Sequence, residues 1–360
     1  GTYYVKELEA PNGYNGNTNT YYVPLMYQGQ NVTVFNFDIT DKDFSQKGKI
    51  KITKTDAETN ETIDGLVSEF EVYARNKIIV NGETIYNAGK LVTTVKTIGG
   101  VAETDYLPLG DYFVKEKTAP TGYVINNEEY DVSLVYDNSA NSVSAETTIS
   151  DMPQKAKITV SKVDRETLIP VANAVYVIKA KADIKVNGDL KYRAGQIIAE
   201  VTTNANGQAV TEPLYLGSYT VTEKFAPKPY VKDKTPYSLD IVYAGQDVDI
   251  QPVRYNASNI AQKATIKLTK FDKETNMPLA NAVFNVIAAE EISVNGSVKH
   301  NANDIVCEIT TNEDGIAISP ELYLGKYKLV EKTAPNGYVI NNDEIPANLE
   351  YQGQEVEVFE

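Results

Sequence analysis

One phrase governs what this chain can fold into: a strand-like run with a glutamate at a fixed place, closed by Ala-Pro. It reads "YYVKELEAP" from Tyr3, "YFVKEKTAP" from Tyr112, "YTVTEKFAP" from Tyr219 and "YKLVEKTAP" from Tyr327. The glutamates Glu7, Glu116, Glu223 and Glu331 follow one another at steps of 109, 107 and 108 residues. A second phrase keeps the same step. "KITKTDAET", "TVSKVDRET" and "KLTKFDKET" place Lys54, Lys162 and Lys270 at intervals of 108 residues. "VNG" recurs at Val80, Val186 and Val294, and "LPLGDY", "LYLGSY" and "LYLGKY" precede three of the glutamate strands. A period this long exceeds that of stacked solenoid repeats, so each unit is a domain-sized body with its own core. The units divide as 1–45, the back portion of one module, then 46–152, 153–260, and 261–360, which lacks its last strand end. The chain opens inside a unit, so its N-terminus and any export signal are expected outside these residues.

Within each unit the signals are those of β-structure. Val, Ile, Thr and Tyr alternate with polar residues between turn-forming clusters. Asn81-Gly82, Asn187-Gly188 and Asn295-Gly296 each sit between short strand-like runs, a strong hairpin signal. "LVSEFEVYA" and "VANAVYVIKA" fit helix or strand equally by period. Short, evenly spaced strands in a unit of this size predict an all-β chain of tandem β-sandwich domains in an elongated rod. Most of the 25 tyrosines alternate toward the core on this reading.

Composition removes several classes of function. A net charge of −15 argues against nucleic acid as a partner. No apolar run is long enough to span a membrane. One cysteine, Cys307, excludes an intramolecular disulfide framework; it takes the slot that Ala199 fills, which predicts a buried, inert thiol. The one histidine, His300, follows a hairpin turn and is expected at the surface, and a single histidine cannot supply a triad or metal site that recurs across units. "TDKD" and "NEDG" lack the ligand count of a calcium loop. No nucleotide loop is present, so no cofactor and no metal are expected.

Side chains on a strand alternate between faces. Ile50, Ile52 and Lys54 share one face, as do Ile158, Val160 and Lys162, and Ile266, Leu268 and Lys270. Tyr112, Val114 and Glu116 share another, and the same holds for Tyr219, Val221 and Glu223, for Tyr327, Leu329 and Glu331, and for Tyr3, Val5 and Glu7. A lysine and a glutamate thus fall on core-facing positions in each unit, where an unpaired charge costs several kcal/mol or more. Alternation alone leaves two readings: a buried ion pair, or strand ends at which both side chains escape to water. A third recurring position bears on the choice. "DFSQKG", "DMPQKA" and "NIAQKA" align Asp43, Asp151 and Asn259, and the step from lysine to the next of these is 97 residues twice. An ion pair does not explain an asparagine there. A reaction at the γ-carbon does.

These three phrases together resemble the Cna B-type domains, also called SpaA-like or prealbumin-like, of Gram-positive surface adhesins and pilins. The resemblance covers essentially the whole chain. It implies an inverse-immunoglobulin-like sandwich in which a lysine of the first strand bonds to an Asp or Asn of the last, with a glutamate promoting the reaction. Carried onto this sequence, Lys54 joins Asp151 with Glu116 assisting, and Lys162 joins Asn259 with Glu223 assisting. Lys270 and Glu331 lack their acceptor, and Glu7 and Asp43 lack their lysine; Asp41, two residues from Asp43 on the same face, is a rival acceptor. Pro229 stands where the family has glycine, so a different loop is expected there. The resemblance further implies a stalk anchored at the cell wall, outside the cell, reaching its host or neighbouring-cell ligand through a tip domain beyond this chain, and a monomeric rod rather than an enzyme. Two other readings remain: a pilin shaft subunit polymerised by sortase, and an array of carbohydrate-binding modules, which would show exposed aromatics at the same place in every unit.

Overall fold

A computed structural model describes residues 1–360, and every regular element in it is a strand. The two ambiguous runs are strands, Glu69–Ala74 and Val175–Ala180, since each has one face against a core and β-branched or aromatic residues that suit a pleated surface. By backbone contact the chain forms two compact units. The first holds residues 1–154 with the short segments 186–189 and 243–249; the second holds the remainder.

In the first unit, Lys47–Asp56 and Ser142–Pro153 run parallel and side by side, with Val101–Glu103, Leu107–Pro108 and Tyr123–Val124 completing that sheet. A second sheet orders Glu129–Leu134, Gly110–Thr118, Glu69–Ala74 and Leu91–Lys96. Ile50, Ile52, Phe70, Val72, Tyr112 and Val114 meet between the sheets as one buried cluster. The second unit repeats this architecture twice. Lys155–Asp164 runs parallel to Ile250–Asn259, opposite a sheet of Ile197–Thr202, Val175–Ala180, Gly217–Phe225 and Tyr237–Ile241. In residues 261–360, Lys263–Ala264 pairs in parallel with Val358–Phe359, opposite Ile305–Thr310, Val283–Ala288, Gly325–Thr333 and Ile345–Leu349.

The three Asn-Gly pairs close two-stranded hairpins, with Asn81, Asn187 and Asn295 at φ of 51°, 48° and 49° and glycine next in the same left-handed region. The glycine before each glutamate strand has a packing reason. A Cβ on Gly110, Gly217 or Gly325 would lie 2.9, 2.6 or 2.3 Å from the Cδ1 of Ile78, Ile184 or Ile292.

Three expectations need correction. Tyr112, Tyr123, Tyr176, Tyr219, Tyr230 and Tyr327 are buried, but Tyr3, Tyr4, Tyr22, Tyr27, Tyr106 and Tyr237 are exposed. In the N-terminal segment, Thr2–Lys6 pairs only with Thr20–Pro24, and no second sheet covers the face that carries Tyr3 and Val5. His300 lies half-buried in its hairpin strand rather than at the open surface. Cys307 is also half-buried at the edge of its core, and burial pushes its thiol up. The bond before Pro229 is cis, in the loop where proline replaces the family's glycine.

Candidate functional site

Parallel pairing of the first and last strands builds the site. Lys54 stands opposite Ile149, so Asp151, two residues on, projects from the same face as its diagonal neighbour. Lys162 stands opposite Ala257 and meets Asn259 by the same offset. The facing sheet contributes the glutamate.

In the first repeat, Lys54 Nζ lies 2.7 Å from Glu116 Oε1 and also contacts Asp151 Oδ1, and all three side chains are at most 1% exposed. Lys54 Nζ, Glu116 Oε1 and both Asp151 oxygens have no hydrogen-bond partner beyond this cluster. Two carboxyls facing one ammonium in a dry core cannot both stay ionised cheaply. Burial, reinforced by Glu116 and opposed by Lys54, pushes Asp151 up to about 7.

In the second repeat, Lys162 Nζ lies 3.2 Å from Glu223 Oε1, and Asn259 Nδ2 donates to Glu223 Oε2 at 2.8 Å. Burial holds the Lys162 amine below its usual basicity. Asn259 Oδ1 is buried without a donor. Turning the amide over would set that oxygen on Glu223, which would then have to carry the proton. Tyr176 OH donates to Glu223 Oε1 at 3.2 Å, while the matching strand position in the first repeat is Phe70, whose ring lies 5.7 Å from Lys54 Nζ.

The other two sites are partial. Lys270 Nζ lies 3.1 Å from Glu331 Oε1, with the lysine 22% exposed and no acceptor beside it. In the N-terminal segment, Asp43 faces Glu7, and burial and that carboxylate together raise it. Asp41 is engaged elsewhere: it accepts from Tyr21 OH at 2.6 Å and Asn17 Nδ2 at 2.5 Å, and is lowered by those bonds. Of the two rivals, Asp43 is the one aimed at the glutamate.

Sequence reasoning missed two parts of each site. The backbone N–H ten residues after each glutamate donates to its Oε2: Asn17 to Glu7 (2.9 Å), Asn126 to Glu116 (3.0 Å), Asp233 to Glu223 (2.7 Å) and Asn341 to Glu331 (2.7 Å). The residue there is always Asn or Asp because its side chain accepts from the N–H two residues on and fixes the turn. The tyrosine seven residues after the glutamate is the second part. Tyr123, Tyr230 and Tyr338 donate to Asp56, Asp164 and Asp272 at 2.8, 2.8 and 2.7 Å. Those aspartates stand two residues past each lysine and also accept from the following turn. Both signals were present as fixed offsets.

The model for the prealbumin-like fold domain of the SpaA type matches residues 48–149, 156–254 and 264–359. The chain is 34% identical over 93 residues to the trypsin-resistant surface T6 protein of Streptococcus pyogenes serotype M6, an overlap of 25% of this chain and 15% of that protein. The Bacillus anthracis TIE protein superposes with a TM-score of 0.58 at 24% identity, over 88% of this chain and 51% of the other. The chain therefore spans about half or less of the length of these relatives. It belongs to the family of SpaA prealbumin-like fold domains and carries three of them in tandem.

Proposed function

We propose that this chain is part of the stalk of a Gram-positive surface protein, and that its repeats staple themselves with isopeptide bonds between Lys54 and Asp151 and between Lys162 and Asn259. The observation that carries the reading is the first cluster: an amine, a carboxylic acid and a second acid in mutual contact, dry and with no other partner. Burial favours the neutral forms that the reaction needs. The neutral amine attacks the γ-carbon while the protonated glutamate donates to the γ-carbonyl oxygen, and the glutamate then carries a proton from nitrogen to the leaving group. The Asp151 hydroxyl leaves as water; the Asn259 amide nitrogen leaves as ammonia. Held contact removes the entropy cost of meeting. Each site reacts once with itself, which is not enzyme turnover.

The load path gives the bond its use. Tension enters at Lys47 and leaves at Pro153, and the two strands, being parallel, would be sheared past each other. A Lys54–Asp151 bond passes the load directly between them, and residues 55 to 150 lie outside its path. The word "surface" in the streptococcal relative's name supports an extracellular setting. No helix is long and apolar enough to cross a membrane. Stacked aromatics occur at Tyr73 with Phe113 in the first repeat and at Tyr237 with Tyr255 in the second, which are not matching positions, and this favours a stalk over a carbohydrate-binding array.

Intact mass tests the reading. One water and one ammonia lost make the chain about 35 Da lighter than its sequence mass, as the two leaving groups require. A mass equal to that of the sequence would sink it.

A further inference from the structure

The glutamate of the second repeat does not stand on its own repeat alone. Its Oε2 is held by the Asp233 N–H at 2.7 Å, and the segment around Asp233 is gripped by residues 351–357 of the third repeat. Lys232 N–H donates to Gln354 O at 2.9 Å, and Ala226 N–H donates to Gln354 Oε1 at 2.8 Å. Lys232 and Lys234 pair with the two Glu355 oxygens at 2.7 and 2.9 Å, and Tyr351 OH donates to Tyr230 O at 3.1 Å. The gripping segment is itself clamped. Gln262, fully buried, donates to Gly353 O at 3.0 Å and Val356 O at 2.5 Å and accepts from Gln352 N–H at 2.8 Å. A cleft of about 290 Å³ between these parts is lined by Asn259, Asp233, Lys232 and Glu355, so the residue that carries the buried amide borders the contact.

The first unit contains the same arrangement. Gln154, also fully buried, donates to Gly245 O at 2.8 Å and Val248 O at 2.6 Å and accepts from Ala244 N–H at 2.7 Å. Gln246 accepts from Ile125 N–H through its backbone oxygen and from Ala119 N–H through Oε1, at 2.9 and 3.0 Å. The next residue, Asn126, holds Glu116. A glutamine clamps a loop, the loop clamps a strand end, and the strand end holds the glutamate, twice over.

We propose that Gln354 and Glu355 are positioning residues for the Glu223 carboxylate, and Gln246 for that of Glu116, so that each staple closes efficiently only once the next segment of chain has docked. This rests on the isopeptide reading. Glu223 must sit within hydrogen-bond reach of Asn259 and Lys162 together, and small displacements of a catalytic group cost large factors in rate. The device would order events along the chain: fold, dock, then seal.

The test follows bond closure in full-length chain made by cell-free synthesis and acid-quenched at intervals, reading the 17 Da loss at Lys162–Asn259 and the 18 Da loss at Lys54–Asp151 on separate peptides. The double variant Gln354→Ala, Glu355→Ala should slow the 17 Da step about tenfold, the effect of loosening one charge-assisted hydrogen bond, and leave the 18 Da step unchanged. Gln246→Ala should do the reverse. Gln354→Glu with Glu355→Asp, which keeps every acceptor, should restore the rate, whereas a general loss of folding would slow both steps and resist rescue. Gln262→Ala offers a second route to the same slowing. A 17 Da step within twofold of the wild type in both variants overturns the inference while leaving the staple intact. A wild-type chain that loses neither mass removes the staple and the inference with it.

Discussion

The first and second repeats hold the same triad at the same spacing and balance its charge differently. The first sets Lys54 against two carboxyls, and the core answers by keeping Asp151 protonated far above its usual range. The second sets Lys162 against one carboxyl and a neutral amide, and burial acts on the amine instead. Burial thus favours the neutral form of one reactant in each site, by opposite routes. On the isopeptide reading, Asp and Asn can serve alike as acceptor because the fold fixes geometry and dryness, while the acceptor's own charge decides which partner must neutralise.

The largest effect expected on that comparison is complete loss of one bond at a time. Glu116→Ala should return 18 Da to the intact mass and Glu223→Ala 17 Da, each leaving the other bond in place. Loss of both bonds from either single change would mean that the sites are not independent. Next in size is stability. Glu116→Gln, which preserves volume while blocking closure, should cost the first repeat about 4–5 kcal/mol, the entropy of a closed loop of about 100 residues, and lower its melting midpoint by roughly 15–30 °C. An unchanged midpoint would mean that the bond adds nothing to folding.

Before the bonds form, the two repeats should respond to pH with opposite signs. In Lys54→Met the first repeat keeps a buried Asp151 whose folded pKa lies above its unfolded value near 4. The folded state then holds the extra proton, so stability is full below about pH 4 and declines as pH rises through the raised folded value, which loss of the Lys54 charge lifts further. In Asn259→Ala the second repeat keeps a buried Lys162 whose folded pKa lies below the ordinary lysine value. The unfolded state now binds more protons, so stability grows as pH climbs toward about 10 and is lost as pH falls through the lowered value. Denaturant midpoints measured across pH should slope in opposite directions for the two variants, and slopes of the same sign would overturn this account.

Much of this was legible in the sequence, and the limits have physical causes. Period and alternation located the strands and set Lys54 and Glu116 on interior faces, because a strand's faces are fixed by counting, whereas Asp151 was marked by its fixed spacing and joined to them by the family resemblance. Counting does not say whether a second sheet is present, and so Tyr3 and Val5, patterned like Tyr112 and Val114, are exposed. The main-chain donors to the glutamates carry no side-chain signature; only the Asn or Asp that shapes their turn does. Gln46, Gln154 and Gln262 stood in plain view beside each acceptor, but their roles depend on loops about 90 residues away.

The smallest effect expected bears on a substitution in the triad's lining. Tyr176 gives Glu223 a hydroxyl donor that Phe70 cannot give Glu116. A donor to the ionised carboxylate favours that form, and the proposed chemistry needs the protonated one. Tyr176→Phe should therefore make the second site resemble the first and speed its closure by a few-fold, the scale of one hydrogen bond in a buried cluster. The phenol has little else to do there, since its ring keeps packing against Tyr255 with or without the oxygen. A slower variant would turn the argument round, because the hydroxyl would then be carrying the proton between Lys162 and the departing ammonia rather than restraining the glutamate.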